Sequence, residues 1–483
     1  MTNVLIAASE AVPFIKTGGL ADVVGALPKY FDKKCIDARV IIPKYKCIDE
    51  QFASLMKFKK EFKIHLNWRE QYVGVFEANF EGVTYYFVDN EFYFSGARPY
   101  GAIYEDAEKF AYFDKAVLEV ISNIDFKPDI IHCNDWQTGL IPVFLKYQYG
   151  DDPYYKNIKC VYSIHNMKYQ GRWRIDEVKD VTGLPDEAFS DKCLEAYSSS
   201  NFLKAASALS DAVVTVSPSY AKEITTPEGG EGLDGVMKEA DLNGKLHGFL
   251  NGLDYDIYNP ATDKFIEYNY TSRNFKSQKK KNKTALQKEL GLTVNASTFM
   301  IGFVSRLTDQ KGLDLLAYIM YEFLANEDVQ IVVLGTGDEK HERMLNDFSS
   351  HFPSKLSVTI GYSDELAQKI YASSDAFLMP SLFEPCGLSQ LVSMRYGSLP
   401  IVRETGGLKD TVEAYNEYTG EGTGFSFSNY NAHEMLDIIK YAMDVYYNNR
   451  KAWDTMVKRA MKMDFSWTSL IKEYETLYKN LVK

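Results

Sequence analysis

The apolar positions of this chain gather into short dense runs, separated by longer stretches in which apolar residues return every three or four positions. In the first half the runs lie at 4–8, 38–42, 84–88, 129–132, 159–164 and 212–216. Runs of this length, rich in β-branched residues and lacking a polar alternation, predict strands covered on both faces. Between them, 107–121 places Phe110, Phe113, Val117 and Val120 on one face of a helix, which predicts an amphipathic helix with that face in the core. The second half repeats the order with runs at 300–305, 329–335, 376–380 and 399–402, each followed by a turn and a helical stretch. Strand and helix in alternation predict an α/β chain with parallel, doubly wound sheets.

The alternation weakens between 248 and 295, where Asn251-Gly252, Asn259-Pro260 and a polar stretch at 268–282 supply turn and linker chemistry. A domain boundary there gives an N-terminal domain at 1–253 and a C-terminal domain at 254–465. At 466–483, Leu470, Tyr474, Leu477 and Leu481 recur at helical spacing and predict a closing helix. The pattern does not say which domain that helix joins; the expectation is that it packs back on the N-terminal one.

Composition agrees with two domains. At 483 residues, 46% apolar and 25% charged, the chain is long enough for two cores and holds no apolar run long enough to span a bilayer. The formal charge of −12 argues against a nucleic-acid partner, which demands clustered Lys and Arg. The one basic run, Lys279-Lys280-Lys281-Asn282-Lys283, is expected to be a solvated linker or a helix start. Six scattered cysteines without a C-x-x-C pair predict neither a disulfide framework nor a zinc site. Met1-Thr2-Asn3 runs straight into apolar residues without a basic region, so no export signal or membrane association is expected, and a cytoplasmic address is.

One phrase occurs twice: Thr17-Gly18-Gly19-Leu20-Ala21-Asp22-Val23-Val24 and Thr405-Gly406-Gly407-Leu408-Lys409-Asp410-Thr411-Val412. Paired glycines ahead of a helix let bare backbone and free N–H groups approach an anion. The repetition predicts two similar halves, each aiming such a turn at one anion, from equivalent corners of the two domains.

Ligands of open α/β sheets sit beyond the carboxyl ends of strands, so polar residues just after the predicted strands are the ones to inspect. Lys16 precedes the first glycine turn, where it suits a phosphate, although a solvated lysine explains it equally. Arg306-Leu307-Thr308-Asp309-Gln310-Lys311-Gly312 places two cations five residues apart at a strand-to-helix turn, the charge that a departing diphosphate needs. Gly335-Thr336-Gly337-Asp338 lets a nucleotide approach or forms a plain turn. After the next strand comes Ser381-Leu382-Phe383-Glu384-Pro385-Cys386-Gly387-Leu388, whose carboxylate suits sugar hydroxyls or a cationic anomeric carbon, or merely a helix start. In the first half, Asn134-Asp135-Trp136-Gln137 and His165-Asn166-Met167 offer amide, carboxylate, imidazole and indole groups, the chemistry of carbohydrate recognition. Asp254-Tyr255-Asp256 matches a D-x-D manganese pattern, but three loop residues are weak evidence and no metal is expected.

Taken together, Lys16-Thr17-Gly18-Gly19-Leu20-Ala21-Asp22, His165-Asn166, Ser305 to Gly312, Glu384-Pro385-Cys386-Gly387-Leu388 and Thr405-Gly406-Gly407-Leu408 resemble, in order and spacing over nearly the whole chain, the glycogen and starch synthases of bacteria and plants. The resemblance implies the GT-B architecture, two Rossmann-like domains facing across a cleft. It also implies retaining transfer of glucose from ADP-glucose to the 4-hydroxyl of an α-1,4-glucan, with no metal or pyridoxal phosphate as cofactor. Lys16, His165, Arg306, Lys311 and Glu384 would be catalytic, Arg306 and Lys311 holding the diphosphate and Glu384 the transferred glucose. Gly18, Gly19, Gln310, Gly335, Ser381, Cys386, Gly387, Leu388, Thr405 and Gly406 would line the donor site, with Tyr362 stacked on adenine. Asp22, Tyr100, Asp135, Trp136, Asn166 and Asn251 would serve the sugar and acceptor site. The chain departs from the family at Thr226-Pro227-Glu228-Gly229-Gly230-Glu231-Gly232, where members often carry an aromatic between the glycines.

Overall fold

The dense apolar runs become the buried strands of two parallel sheets. A computed structural model describes residues 1–101 and 103–483. The chain divides into one unit made of Met1–Gly252 and Trp467–Lys483 and a second made of Leu253–Ser466. No helix among the described residues is long and apolar enough to cross a membrane.

The first unit holds β1 (Thr2–Ala7), β2 (Ile36–Pro43), β3 (Lys57–Leu66), β4 (Arg69–Phe80), β5 (Val83–Asp89), β6 (Ile130–Asn134), β7 (Lys159–Ile164), β8 (Arg172–Trp173), β9 (Glu195–Ala196), β10 (Ser199–Asn201), β11 (Ala212–Thr215) and β12 (Leu246–Gly248). Nine of these form one sheet in the order β12-β11-β7-β6-β1-β2-β5-β4-β3, while β8, β10 and β9 make a small separate sheet. The large sheet is parallel from β12 to β5 and ends in the antiparallel pair β4 and β3. This hairpin escapes the apolar-run rule because β3, Lys57-Phe58-Lys59-Lys60-Glu61-Phe62-Lys63, is exposed along most of its length, and its lysines suit an unpaired edge. The helix Ile103–Asn123 contains the predicted 107–121 segment, and Phe110, Phe113, Val117 and Val120 are fully buried.

The second unit holds β13 (Phe299–Val304), β14 (Val329–Gly335), β15 (Leu356–Ile360), β16 (Ala376–Met379), β17 (Leu399–Arg403) and β18 (Phe425–Phe427). They form one parallel sheet in the order β15-β14-β13-β16-β17-β18. The order runs outward both ways from β13, so the chain reverses between β13 and β16, the position where such sheets open a crevice.

Three expectations need correction. The basic run is no solvated linker: it lies in the helix Phe275–Glu289, with Lys279 and Lys283 only 8% and 2% exposed. Lys279 donates to the carbonyls of Tyr371, Ala372 and Tyr396 and to Ser398 Oγ, at 3.0–3.2 Å. It thereby serves the carbonyl ends of the helices Asp364–Ser373 and Ser389–Arg395, where a cation meets the negative end of each dipole. Lys283 pairs with Asp375, whose carboxylate also accepts the Met300 N–H at 2.9 Å.

The repeated phrase does not mark equivalent corners. Its first copy follows β1, the opening strand of its sheet, and its second follows β17, the fifth strand of the other. Finally, the last helix, Trp467–Leu481, turns a different face inward than the leucine spacing implied. Trp467, Ile471, Tyr474, Leu477 and Tyr478 are buried, whereas Leu470 and Leu481 are half-buried. Aromatic volume and the bond from Tyr478 Oη to His132 Nδ1, 2.6 Å, set the rotation within the first unit.

Candidate active site

In the second unit, the loop after β13 carries the two cations. Lys311 sits in a single 3₁₀ turn closed by Gly312, whose φ of 71° is left-handed and whose Cβ would lie 2.1 Å from the Pro380 carbonyl oxygen. Only glycine fits, so the loop is pressed against the loop after β16. Lys311 Nζ meets Glu384 Oε2 at 2.5 Å, with both side chains largely buried. Ser381 Oγ donates to the same oxygen at 3.0 Å, and Gln310 Nε2 donates to the Phe383 carbonyl at 3.0 Å. Arg306 differs: it is exposed, and its side chain makes no ion pair or hydrogen bond with any described residue.

The second glycine pair completes this group. Gly406 has φ 44°, and a Cβ there would fall 2.1 Å from the Glu384 carbonyl oxygen; at Gly407 it would fall 2.1 Å from that of Cys386. The turn following β17 is thus packed backbone to backbone on the Glu384 loop, with Thr405, Ser381 and Cys386 buried beside it. Arg403 holds the assembly by donating to the carbonyls of Ser381, 2.8 Å, and Leu382. Sequence reasoning missed Arg403, although an arginine closing β17 and followed directly by the glycine turn was the available signal.

Gly335 and Tyr362 lie at the neighbouring strand ends. A Cβ on Gly335 would sit 2.0 Å from the Ser305 carbonyl oxygen, and Gly361 N–H bonds to the Gly335 carbonyl at 2.9 Å. Tyr362 is 71% exposed, its hydroxyl on Asp364 at 2.7 Å. Gly387, at φ 71°, packs on Gln390, and Leu388 opens the helix Ser389–Arg395. Among the described residues, Asp309, Asp338 and His341 bring potential metal ligands within 4.8 Å of one another. The same Asp309 oxygen already takes Lys340 Nζ at 2.5 Å and His341 Nε2 at 2.8 Å.

In the first unit, the loop after β1 is organised by a residue the sequence reading passed over, Glu10. Its buried carboxylate accepts from the Thr17 N–H, from Thr17 Oγ1 at 2.9 Å and from Tyr100 Oη at 3.0 Å, and Tyr100 also meets Ser9 Oγ at 2.9 Å. Burial raises the Glu10 pKa above the usual carboxylate value against the pull of the Thr17 bonds. Lys16 Nζ pairs with Asp22 Oδ1 at 2.8 Å. A Cβ on Gly18 or Gly19 would meet nothing within 4 Å. Among the described residues of the first unit nothing demands glycine there, in contrast to Gly406 and Gly407.

Asp135 follows β6 in a conformation unusual for a side-chain-bearing residue, φ 55°. Its carboxylate accepts the His165 N–H at 2.8 Å, and burial raises its pKa to about 7. His165 Nε2 lies 3.0 Å from Asn134 Oδ1, and burial lowers the imidazole to about 4, so it is neutral at pH 7. Trp136 packs edge-on against Phe110, 5.1 Å, and tilted against Trp173, 5.2 Å. Asn166 turns its oxygen to the Lys168 N–H at 3.0 Å. Asn251 is 5% exposed, and its side-chain oxygen has no hydrogen-bond partner among the described residues.

These shifts make a prediction. His132, clamped between Tyr478 Oη and Ser163 Oγ at 2.6 Å each, is lowered to about 3 by burial. Between pH 6.5 and 3 the unfolded chain binds a proton at this position and the folded chain does not, so stability falls as the pH drops through 6.5. The loss for this one group is about 2 kcal/mol between pH 6.5 and 5. Asp135 acts oppositely over about pH 4 to 7, having a raised folded value. Thermal melts of wild type and His132→Gln at pH 7.5 and 5 isolate the histidine: the wild type should lose more stability than the variant, and parallel losses contradict the assignment.

Known proteins resemble this chain over its full length. Residues 3–239 match the family model of the starch synthase catalytic domain, and residues 290–460 match that of group 1 glycosyl transferases. The glycogen synthase of Lachnospira eligens is 60% identical over 481 residues, covering 100% of both chains; that of Caldicellulosiruptor saccharolyticus is 50% identical over 481 residues, again covering 100% of both. Among solved structures, the catalytic domain of starch synthase IV from Arabidopsis thaliana, bound to ADP and acarbose, superposes with a TM-score of 0.91 at 32% identity over 100% of this chain and 99% of that one. Sucrose-phosphate synthase from Thermosynechococcus elongatus, with a TM-score of 0.62 at 14% identity over 100% and 99%, shares the fold alone. The two parallel-sheet units are those of the GT-B fold, and the chain belongs to the glycogen and starch synthase family of glucosyltransferases.

Proposed function

We propose that this chain transfers glucose from ADP-glucose to the non-reducing 4-hydroxyl of an α-1,4-glucan, with retention, and releases ADP. The observation that carries the reading is the Lys311–Glu384 pair, with Arg306 exposed five residues before Lys311 on the same loop. A diphosphate leaving group needs two cations, and a sugar needs a carboxylate beside them. Relatives that bear the glycogen synthase name over their full length, and a starch synthase bound to ADP and acarbose, support the choice of donor and acceptor.

In this reading Arg306 and Lys311 neutralise the diphosphate as its bond to the anomeric carbon breaks. Thr405, Gly406 and the glycines at 18 and 19 offer N–H groups to the same phosphates, and Lys16 adds charge. Tyr362, exposed at its strand end, stacks on adenine. Glu384 holds hydroxyls of the transferred glucose; its Oε2 is already committed to Lys311 and Ser381, which suits binding better than attack. The acceptor hydroxyl forms the new bond from the face the phosphate leaves, and its proton passes to the departing phosphate. Neutral His165, held by Asn134, donates or accepts hydrogen bonds to the sugar instead of supplying charge. Asp22, Tyr100, Asp135, Trp136, Asn166 and Asn251 complete the sugar and acceptor contacts.

The test offers ADP-glucose and UDP-glucose separately with glycogen and follows nucleotide release and chain length. ADP-glucose should give both. Elongation with neither donor overturns the reading, and elongation with UDP-glucose alone overturns the donor assignment.

A further inference from the structure

The loop Thr226 to Gly232 lacks an aromatic residue, and its packing shows why none fits at its glycine pair. A Cβ on Gly229 would lie 2.4 Å from the Glu223 carbonyl oxygen, and one on Gly230 would lie 2.5 Å from Asp234 Cβ. An aromatic does stand over this loop, from elsewhere in the first unit. Tyr197 occupies the tip of the β9–β10 hairpin, is 72% exposed, and donates its hydroxyl to the Gly232 carbonyl at 2.9 Å. A Cβ added to Gly232 would lie 3.3 Å from the Tyr197 ring.

The backbone there is costly for a tyrosine. Tyr197 and Ser198 are the two central residues of the turn, with φ of 52° and 62°. Two-residue hairpin turns with both φ positive favour Asn and Gly, and a bulky residue in this region is an outlier. Core packing does not explain a ring that faces solvent. Such outliers gather where a side chain is wanted for what it presents.

The hairpin is coupled to the sugar-site residues by two routes. Gln170, 5% exposed, donates to the carbonyls of Met167, 3.1 Å, and Glu231, 3.0 Å, joining the His165-Asn166 segment to the glycine loop. Trp173 on β8 pairs with Ser200 on β10 and packs on Trp136. An exposed aromatic face beside such groups is the surface onto which the C–H face of a pyranose ring stacks.

We propose that Tyr197 is a glucan-binding residue that supplies, from the hairpin, the aromatic platform the glycine loop lacks. The assignment rests on the glucan-elongating reading above. The test measures KM for maltooligosaccharide primers and for ADP-glucose in wild type, Tyr197→Asn and Tyr197→Phe. Wild-type elongation checks the reading on which the assignment rests and is independent of the variants. Tyr197→Asn relieves the turn, so its thermal midpoint should equal or exceed that of wild type. Its primer KM should nevertheless rise about five- to tenfold, with the ADP-glucose KM moving less than twofold. Tyr197→Phe keeps the ring and should restore the primer KM to within about twofold of wild type. An unchanged primer KM in Tyr197→Asn overturns the proposal. So does a phenylalanine variant as impaired as the asparagine one, which would assign the residue to pinning the loop through its hydroxyl.

Discussion

Arg306→Ala is expected to lower kcat about 10²- to 10³-fold without moving the thermal midpoint, and Lys311→Ala to lower it as much while also weakening the fold. The difference follows from what each cation touches. The Arg306 side chain is exposed and bonds to no described residue, so its removal takes nothing from the folded state and leaves the developing charge on the diphosphate unmet. Lys311 answers Glu384 in a largely buried pair, and deleting it strands a carboxylate away from water. A Lys311→Met/Glu384→Gln double variant separates the two effects: it should recover much of the lost stability and none of the activity. Steady-state kinetics with parallel thermal melts decide the matter, and near-normal turnover in Arg306→Ala or Lys311→Ala removes that residue from its role.

The second large effect sets the two glycine turns against each other. Gly407→Ala pushes a Cβ to 2.1 Å from the Cys386 carbonyl oxygen, where only backbone movement makes room. The expected cost is at least about 2 kcal/mol of stability, with activity lost through displacement of Glu384. Gly18→Ala meets open space, and its φ of −160° is extended backbone open to any residue. That variant should fold and melt like wild type yet lose about 10²-fold in kcat/KM for ADP-glucose, because in the proposed function the bare Gly18 backbone serves the donor phosphates. A fully active Gly18→Ala enzyme would take the first turn out of the donor site.

The contrast also shows what the sequence could disclose. Strands buried on both faces announce themselves through β-branched runs, so β1, β7, β11, β13, β14 and β17 were legible. The hairpin of β3 and β4 was not, because an exposed edge needs lysines more than an apolar period. The strand-end rule led to Lys311, Glu384, Asp135 and His165, since polar residues after buried runs stand out. It passed over Glu10 and Arg403, which hold loops by bonding to backbone groups and hydroxyls brought in by the fold. Lys279 and Lys283 were misread because composition counts charge, whereas burial depends on carbonyls and a carboxylate brought in from other parts of the chain. The repeated phrase was real as spelling and misleading as topology. One copy is glycine because neighbouring backbone leaves no room, the other although room is left.

In the proposed function this chain builds α-1,4 bonds by retaining transfer from ADP-glucose. Proton NMR of a reaction containing ADP-glucose and a short maltooligosaccharide reads it most directly. One new α-1,4 linkage should appear for each ADP released. A β-linkage, free glucose in place of chain growth, or no release of ADP would contradict it.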